Sequence, residues 1–158
     1  PLPLDFIKNL LIEEPCEFPS GFNIDDYQIF QGKPTKILKD NDIIELGNRS
    51  IQIIHTPGHS PGHLCFYEKE KQYLYSGDLV YKGKLTAFFP TSNPKIYKKS
   101  IDKIVNIPIR KILPSHFDLN VPITIIQEIK DAFEQIEDDG KLEQGAGLFH
   151  YSNFTISI

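Results

Sequence analysis

The spacing of apolar positions changes several times along the chain, and each change predicts an element. Leu4, Phe6, Ile7, Leu10 and Leu11 recur at helical spacing, which predicts a short amphipathic helix over Asp5–Glu14. Pro15, Pro19, Gly21, Gly32 and Pro34 then punctuate an irregular segment that runs to residue 34. From Thr35 the runs become short and β-prone. Thr35–Leu38 and Ile43–Leu46 flank a polar Lys39-Asp40-Asn41-Asp42 turn, and Gly47-Asn48 leads into a strand over Arg49–Thr56. His63–Glu68 and Gln72–Ser76 read as a hairpin closed by a charged turn, and Leu79–Tyr81 reads as a further short strand. Together they predict one antiparallel sheet.

Beyond residue 90 the period returns to that of a helix. Ser92-Asn93-Pro94 is a start signal, with a capping side chain before a proline in the first turn. The helix should run to about Asn106 and bury Ile101, Ile104 and Val105. A strand over Arg110–Leu113 follows. A second helix over Pro122–Asp138 carries Ile126, Ile129, Phe133 and Ile136 on one face. Its end is acidic, with Glu134, Glu137, Asp138 and Asp139, and such charge opposes the helix dipole, so fraying is expected there. Phe149–Tyr151 and Phe154–Ile158 predict a terminal hairpin, whose last strand could be an exposed edge open to pairing in a homodimer.

A chain of 158 residues has room for one domain. At 40% hydrophobic and 24% charged residues it is too apolar for a disordered chain. The net charge of −4 and a pI near 5.7 argue against a nucleic-acid partner, because a phosphate-backbone binder carries a basic stripe. No apolar run approaches the ~18 residues of a membrane span, so no membrane partner is expected. Cys16 and Cys65 are far apart and form no CxxC pair, which suits two reduced thiols and a cytoplasmic location. The chain lacks Met, which leaves open that it is a piece of a longer polypeptide.

Three stretches carry candidate chemistry. They are Thr56-Pro57-Gly58-His59-Ser60-Pro61-Gly62-His63, Ser76-Gly77-Asp78 and Leu113-Pro114-Ser115-His116. Each sets a metal-ligand type just after a predicted strand, on a loop held by a rigid scaffold. Singly, such a His or Asp is more often a loop or turn residue. The ordered set His59, Asp78 and His116, nineteen and thirty-eight residues apart, is hard to explain by turns. Imidazole with carboxylate suits zinc, manganese or iron.

The string TPGHSPGH, followed by SGD and then LPSH, resembles the second half of the metallo-β-lactamase superfamily of metallohydrolases. The resemblance runs from about Thr35 to the C-terminus. It implies an α/β (α+β) fold, an αββα sandwich of which this chain supplies roughly the C-terminal half, as one sheet and two outer helices. It implies a single domain over residues 1–158, incomplete at its N-terminus, with residues 1–34 as a variable segment and 35–158 as the second αβ half. The family's first metal motif, HxHxDH, is absent from the chain. Carried over by position, His59 binds one metal, Asp78 bridges two, and His116 binds the second. The implied cofactors are two divalent ions, with zinc favoured and manganese or iron as alternatives. The implied chemistry is attack on a carbonyl by a hydroxide bridging the ions, with a small ester, thioester or lactone as substrate. Ser115 stands where the family more often has Gly.

Within this picture His63 either holds the loop or a ligand in place by a hydrogen bond or is an ordinary structural residue. His55 and His150 carry no assigned role, and Asp118 is expected to cap a turn. Tyr81, Phe88 and Phe89 follow Asp78 on a loop that lies beside the metals in the resembling enzymes, so they are candidates for substrate contacts. The plainer alternative is that Phe88 and Phe89 pack beneath the following helix. A different class of function also stays open: a metal-free, degenerate member acting as a binding or structural module.

Overall fold

The computed structural model describes residues 19–23, 26–28 and 32–158. The expected helix over Asp5–Glu14, and Cys16, lie outside the described residues. The chain divides into two units, Pro1–Ile37 and Leu38–Ile158. In the first, Phe22 and Tyr27 bring their rings to 6.1 Å. Among the described residues, the strands and α-helices all lie in the second.

Five strands make the larger sheet: β1 (Ile43–Glu45), β2 (Ser50–His55), β3 (Leu64–Glu68), β4 (Tyr73–Gly77) and β6 (Lys111–Pro114). Their order is β1-β2-β3-β4-β6. The first three pairings are antiparallel and β4–β6 is parallel. A parallel pair needs a crossover, and helix α1 (Pro94–Ile104) lies on that connection. Asn93 caps α1 by accepting the Ile96 N–H at 3.0 Å, with Pro94 in the first turn.

Helix α2 (Ile125–Asp138) buries Ile125, Ile126, Ile129, Ala132, Phe133 and Ile136. Its stacked Phe133 ring meets Tyr97 of α1 at 5.2 Å. The acidic end is held rather than frayed. Gly140, at φ +69°, donates to the Glu137 carbonyl, and Lys98 of α1 pairs with Glu137 at 3.2 Å. Ile54, Cys65, Tyr67, Leu74 and Ile112 of the sheet join these helix residues in one core. Among the described residues no helix is long and apolar enough to cross a membrane.

Three expectations are corrected. Thr35–Leu38 is not a strand: Ile37 is exposed and the segment pairs with nothing in a sheet. Leu79–Tyr81 is not a strand either. Leu79 and Val80 are fully buried, but in a turn where Leu79 N–H donates to the Ser76 carbonyl and the Ser76 hydroxyl to the Val80 carbonyl. Apolar character there reflects burial of a loop, and the strand β5 (Gly83–Thr86) starts after it. The third concerns the single sheet. Strands β5, β7 (Leu148–His150) and β8 (Phe154–Ser157) form a second sheet in the order β5-β8-β7. β8 is therefore central, not an exposed edge, and Phe154, Ile156 and Ile158 are buried. A parallel β5–β8 pairing between residues some seventy positions apart leaves no local trace in sequence.

Candidate metal centre

The Thr56–His63 loop is shaped by contacts with α1. Gly58 has φ +137°, and a Cβ there would lie 2.3 Å from the Tyr97 Cα. The Gly58 carbonyl accepts the Asn93 N–H at 2.8 Å, and the Pro57 carbonyl accepts the Ser100 hydroxyl at 2.6 Å. This close approach places His59 over the end of β5, where its Nδ1 meets the Thr86 carbonyl at 3.0 Å. A carbonyl can only accept, so Nδ1 carries the proton and Nε2 keeps its lone pair.

Asp78 and His116 follow the C-terminal ends of the adjacent parallel strands β4 and β6. The register pairs Gly77 with Pro114, and Ser115 N–H donates to the Gly77 carbonyl at 3.2 Å. The side chains then converge. His116 Nε2 lies 2.8 Å from Asp78 Oδ1, and His59 Nε2 lies 3.6 Å from Asp78 Oδ2. Each imidazole thus addresses a different oxygen of one carboxylate. Asp78 Oδ1 is buried and receives no hydrogen bond, despite the nearby imidazole nitrogen.

A buried, unsatisfied carboxylate oxygen is costly and calls for a positive partner. With His59 in the tautomer that frees Nε2, the donor set fits divalent metal ions in chemical type. It does not complete a site. Among the described residues no group of three or more His, Cys, Asp or Glu side chains could hold an ion by itself. One imidazole and one shared carboxylate per ion is short of the three protein ligands of a catalytic zinc.

Behind the three candidates runs a hydrogen-bonded ring. Asp78 N–H donates to His63 Nε2 at 2.9 Å, which leaves the His63 proton on Nδ1. That Nδ1 lies 2.8 Å from the Thr56 hydroxyl and 3.1 Å from the Thr56 carbonyl. The Thr56 hydroxyl donates to Cys65 Sγ at 3.4 Å, and Cys65 faces the Ser76 carbonyl at 3.5 Å. Burial lowers the proton affinity of His63, which suits its neutral form. Burial also pushes the Cys65 thiol up to about 12. Gly77 makes room for the ring: a Cβ there would lie 2.6 Å from His63 Nε2. The Tyr97 hydroxyl, fully buried, reaches the Asp78 and Leu79 carbonyls at 2.9 and 2.7 Å.

Thr56, Cys65, Tyr97 and Ser100 were not legible as parts of the site. The Asn93 cap fixed the phase of α1 in sequence, but nothing local showed that this face meets the His59 loop. Phe88 and Phe89 do not pack beneath α1; each is 42% exposed. Phe89 lies edge-on to His59 at 6.5 Å and 4.5 Å from Phe88. Tyr81 is buried, with its hydroxyl on the Lys84 carbonyl and its ring edge-on to His116 at 5.8 Å. Phe117, beside His116, was not singled out in sequence. It is 74% exposed and sits at φ +61°, a backbone region that costs a bulky residue roughly 1–2 kcal/mol. His55 bonds the Pro61 carbonyl, Asp118 closes a turn on Asn120, and His150 pairs with Thr155 in the terminal hairpin.

The Metallo-beta-lactamase superfamily model matches residues 12–116. The acyl-coenzyme A thioesterase MBLAC2 of Homo sapiens is 34% identical over 102 residues, covering 62% of this chain and 37% of that protein. A hydroxyacylglutathione hydrolase of Chelativorans is 26% identical over 76 residues, 48% of this chain and 29% of its own length. The chain therefore spans about a third of the length of these curated relatives, 37% of one and 29% of the other. Among solved structures, a metallo-β-lactamase family protein of Thermus thermophilus aligns with a TM-score of 0.56 at 22% identity. It covers 65% of this chain and 36% of its own. A metallo-β-lactamase of Staphylococcus aureus aligns with a TM-score of 0.53 at 26% identity, over 69% and 38%. The two-sheet fold and a family match over more than half of the chain agree: this chain belongs to the metallo-β-lactamase superfamily.

Proposed function

We propose that the chain carries part of the active site of a metal-dependent hydrolase of acyl thioesters. The observation that carries this reading is the pairing of His116 Nε2 with Asp78 Oδ1 and of His59 Nε2 with Asp78 Oδ2 around an unsatisfied buried oxygen. His59, Asp78 and His116 would hold two divalent ions, zinc by preference and manganese or iron as alternatives, with further ligands from elsewhere in the whole protein. Bound ions would supply Lewis acidity toward a carbonyl oxygen and lower the pKa of coordinated water.

The chain's own residues prepare that centre. Thr86 holds His59 in the tautomer that leaves Nε2 free. His63 and Tyr97 fix the Asp78 backbone, so the carboxylate keeps its aim without a rotating main chain. Phe88 and Phe89 give the His59 side an exposed apolar wall, suited to the acyl part of a small-molecule substrate. The thioester preference over an ester or lactone draws on the names of the human and Chelativorans relatives. A cytoplasmic location, and no nucleic-acid or membrane partner, accord with the acidic charge and the free Cys65 thiol.

The test is release of free thiol from an acyl-coenzyme A by the full-length protein, stripped of metal and reloaded. Asp78→Asn should cut turnover by about 100-fold or more while leaving the circular dichroism spectrum unchanged. His116→Ala should lower the bound metal from two ions to one. Full turnover in Asp78→Asn would remove the metal-bridging role of Asp78; a wild type that binds no metal and releases no thiol would point instead to a binding module.

A further inference from the structure

We infer that Phe117 is a specificity-determining residue, a rigid aromatic shelf on the His116 side of the centre that selects longer acyl groups over shorter ones. The inference rests on the hydrolase reading above. It starts from an anomaly: a large ring, 74% exposed, on a residue whose backbone is in the left-handed region. Glycine or asparagine would occupy that backbone more easily. An exposed Phe there gains little from burial, and outliers of this kind collect at functional sites.

The ring is nevertheless held in place. It stacks on Tyr81 at 5.7 Å with an interplanar angle of 28°. Its edge lies against Gly83, where φ is +137° and a Cβ would come within 2.8 Å of Phe117 Cε2. The Tyr81 hydroxyl is tied in turn to the Lys84 carbonyl. So one face of Phe117 is supported from within the fold and the remainder is open. A supported ring needs no ordering when an apolar group lies on it, which is what preorganised binding requires.

Its position is specific to the centre. Phe117 lies 6.2 Å from the His116 ring, and Phe89 lies 6.5 Å from the His59 ring at the opposite end of the same row. The polar row His59–Asp78–His116 is thus flanked at both ends by exposed aromatic surface. A carbonyl brought to the row would carry its hydrocarbon tail along one of these flanks. Tyr81 then supports the shelf from below rather than touching the substrate.

The experiment compares acetyl-, butyryl- and octanoyl-coenzyme A with the full-length, metal-loaded protein and its Phe117→Gly and Phe117→Ala variants. Each buried methylene is worth roughly 4-fold in affinity, so losing a partly covering ring should lower the octanoyl-to-acetyl ratio of kcat/KM by about 10-fold. The fall should appear in KM more than in kcat, and Phe117→Gly should melt no earlier than wild type because it relieves the backbone. Leu148→Ala, another exposed apolar truncation, on β7, should leave the ratio unchanged. An unchanged ratio in both Phe117 variants, or an equal loss on all three substrates with a lower Tm, overturns the inference. If the wild type hydrolyses no acyl thioester, the hydrolase reading fails, and octanoate and acetate titrations followed by aromatic NMR signals decide. Octanoate binding that weakens about 10-fold in Phe117→Gly supports the shelf; equal octanoate binding in both proteins overturns it.

Discussion

His63 Nε2 accepts the backbone N–H of Asp78 at 2.9 Å, across fifteen residues of chain. The bond joins the residue that precedes β3 to the turn that follows β4. It fixes the main chain of the residue whose carboxylate faces both His59 and His116. His63 therefore acts on the centre through the Asp78 backbone.

His63→Ala should strand a half-buried N–H and destabilise the fold by about 1 kcal/mol. It should also weaken cobalt binding by about 10- to 100-fold, the usual cost of removing a group that orients a ligand. His63→Gln can accept the same N–H and should recover part of both losses. Urea denaturation and a cobalt titration read the two effects separately. Cobalt affinity equal to wild type in His63→Ala would remove the positioning role.

Two glycines of one loop should respond with opposite signs. Gly58→Ala would drive a Cβ to 2.3 Å from the Tyr97 backbone at a φ of +137°, so it should cost at least about 3 kcal/mol or block folding. Gly62→Ala meets nothing within 4 Å, and should be neutral or stabilise by about 0.4–1 kcal/mol through the unfolded chain. Thermal melts of the two variants decide. Similar melting temperatures would show that α1 does not clamp this loop.

Cys65 supplies the pH dependence. Its folded pKa of about 12 lies above the ordinary 9.0, chiefly because burial disfavours the thiolate. The unfolded state therefore loses its proton first as pH rises. The contribution is full below pH 9 and is lost progressively from there toward 12. Cys65→Ser keeps a hydroxyl between Thr56 and Ser76 without that titration. Between about pH 8 and about pH 10.5, wild type should lose more stability in urea than Cys65→Ser. Parallel losses in the two proteins would rule this out.

Much of the candidate ligand set and half of the frame were readable in advance. The TPGHSPGH string, the Gly-Asp and the Ser-His each sit in a loop that follows a strand, because a turn needs Gly or Pro where the chain leaves the sheet. The capped start of α1 and the buried stripe of α2 followed from local spacing. Other features had no local signature. Leu79 and Val80 look like strand residues because burial in a turn and burial in a sheet select the same side chains. Phe88 and Phe89 look like core residues because nothing in their neighbours says that they stay exposed.

The sequence by itself determined which side chains are candidates to ligate a metal, where most strands and both described helices begin, and the family to which the chain is akin. Those depend on residue type, turn chemistry and period, all of which act over a few positions. Only the tertiary structure decided that β8 lies between β5 and β7, that Tyr97 reaches the Asp78 turn, and that His63, Thr56 and Cys65 close a ring behind it. The same holds for the shelf of Phe117 on Tyr81 and Gly83. Each of these joins residues that the backbone keeps far apart. Their contact is set by how the helices and sheets pack, which no short stretch of sequence encodes.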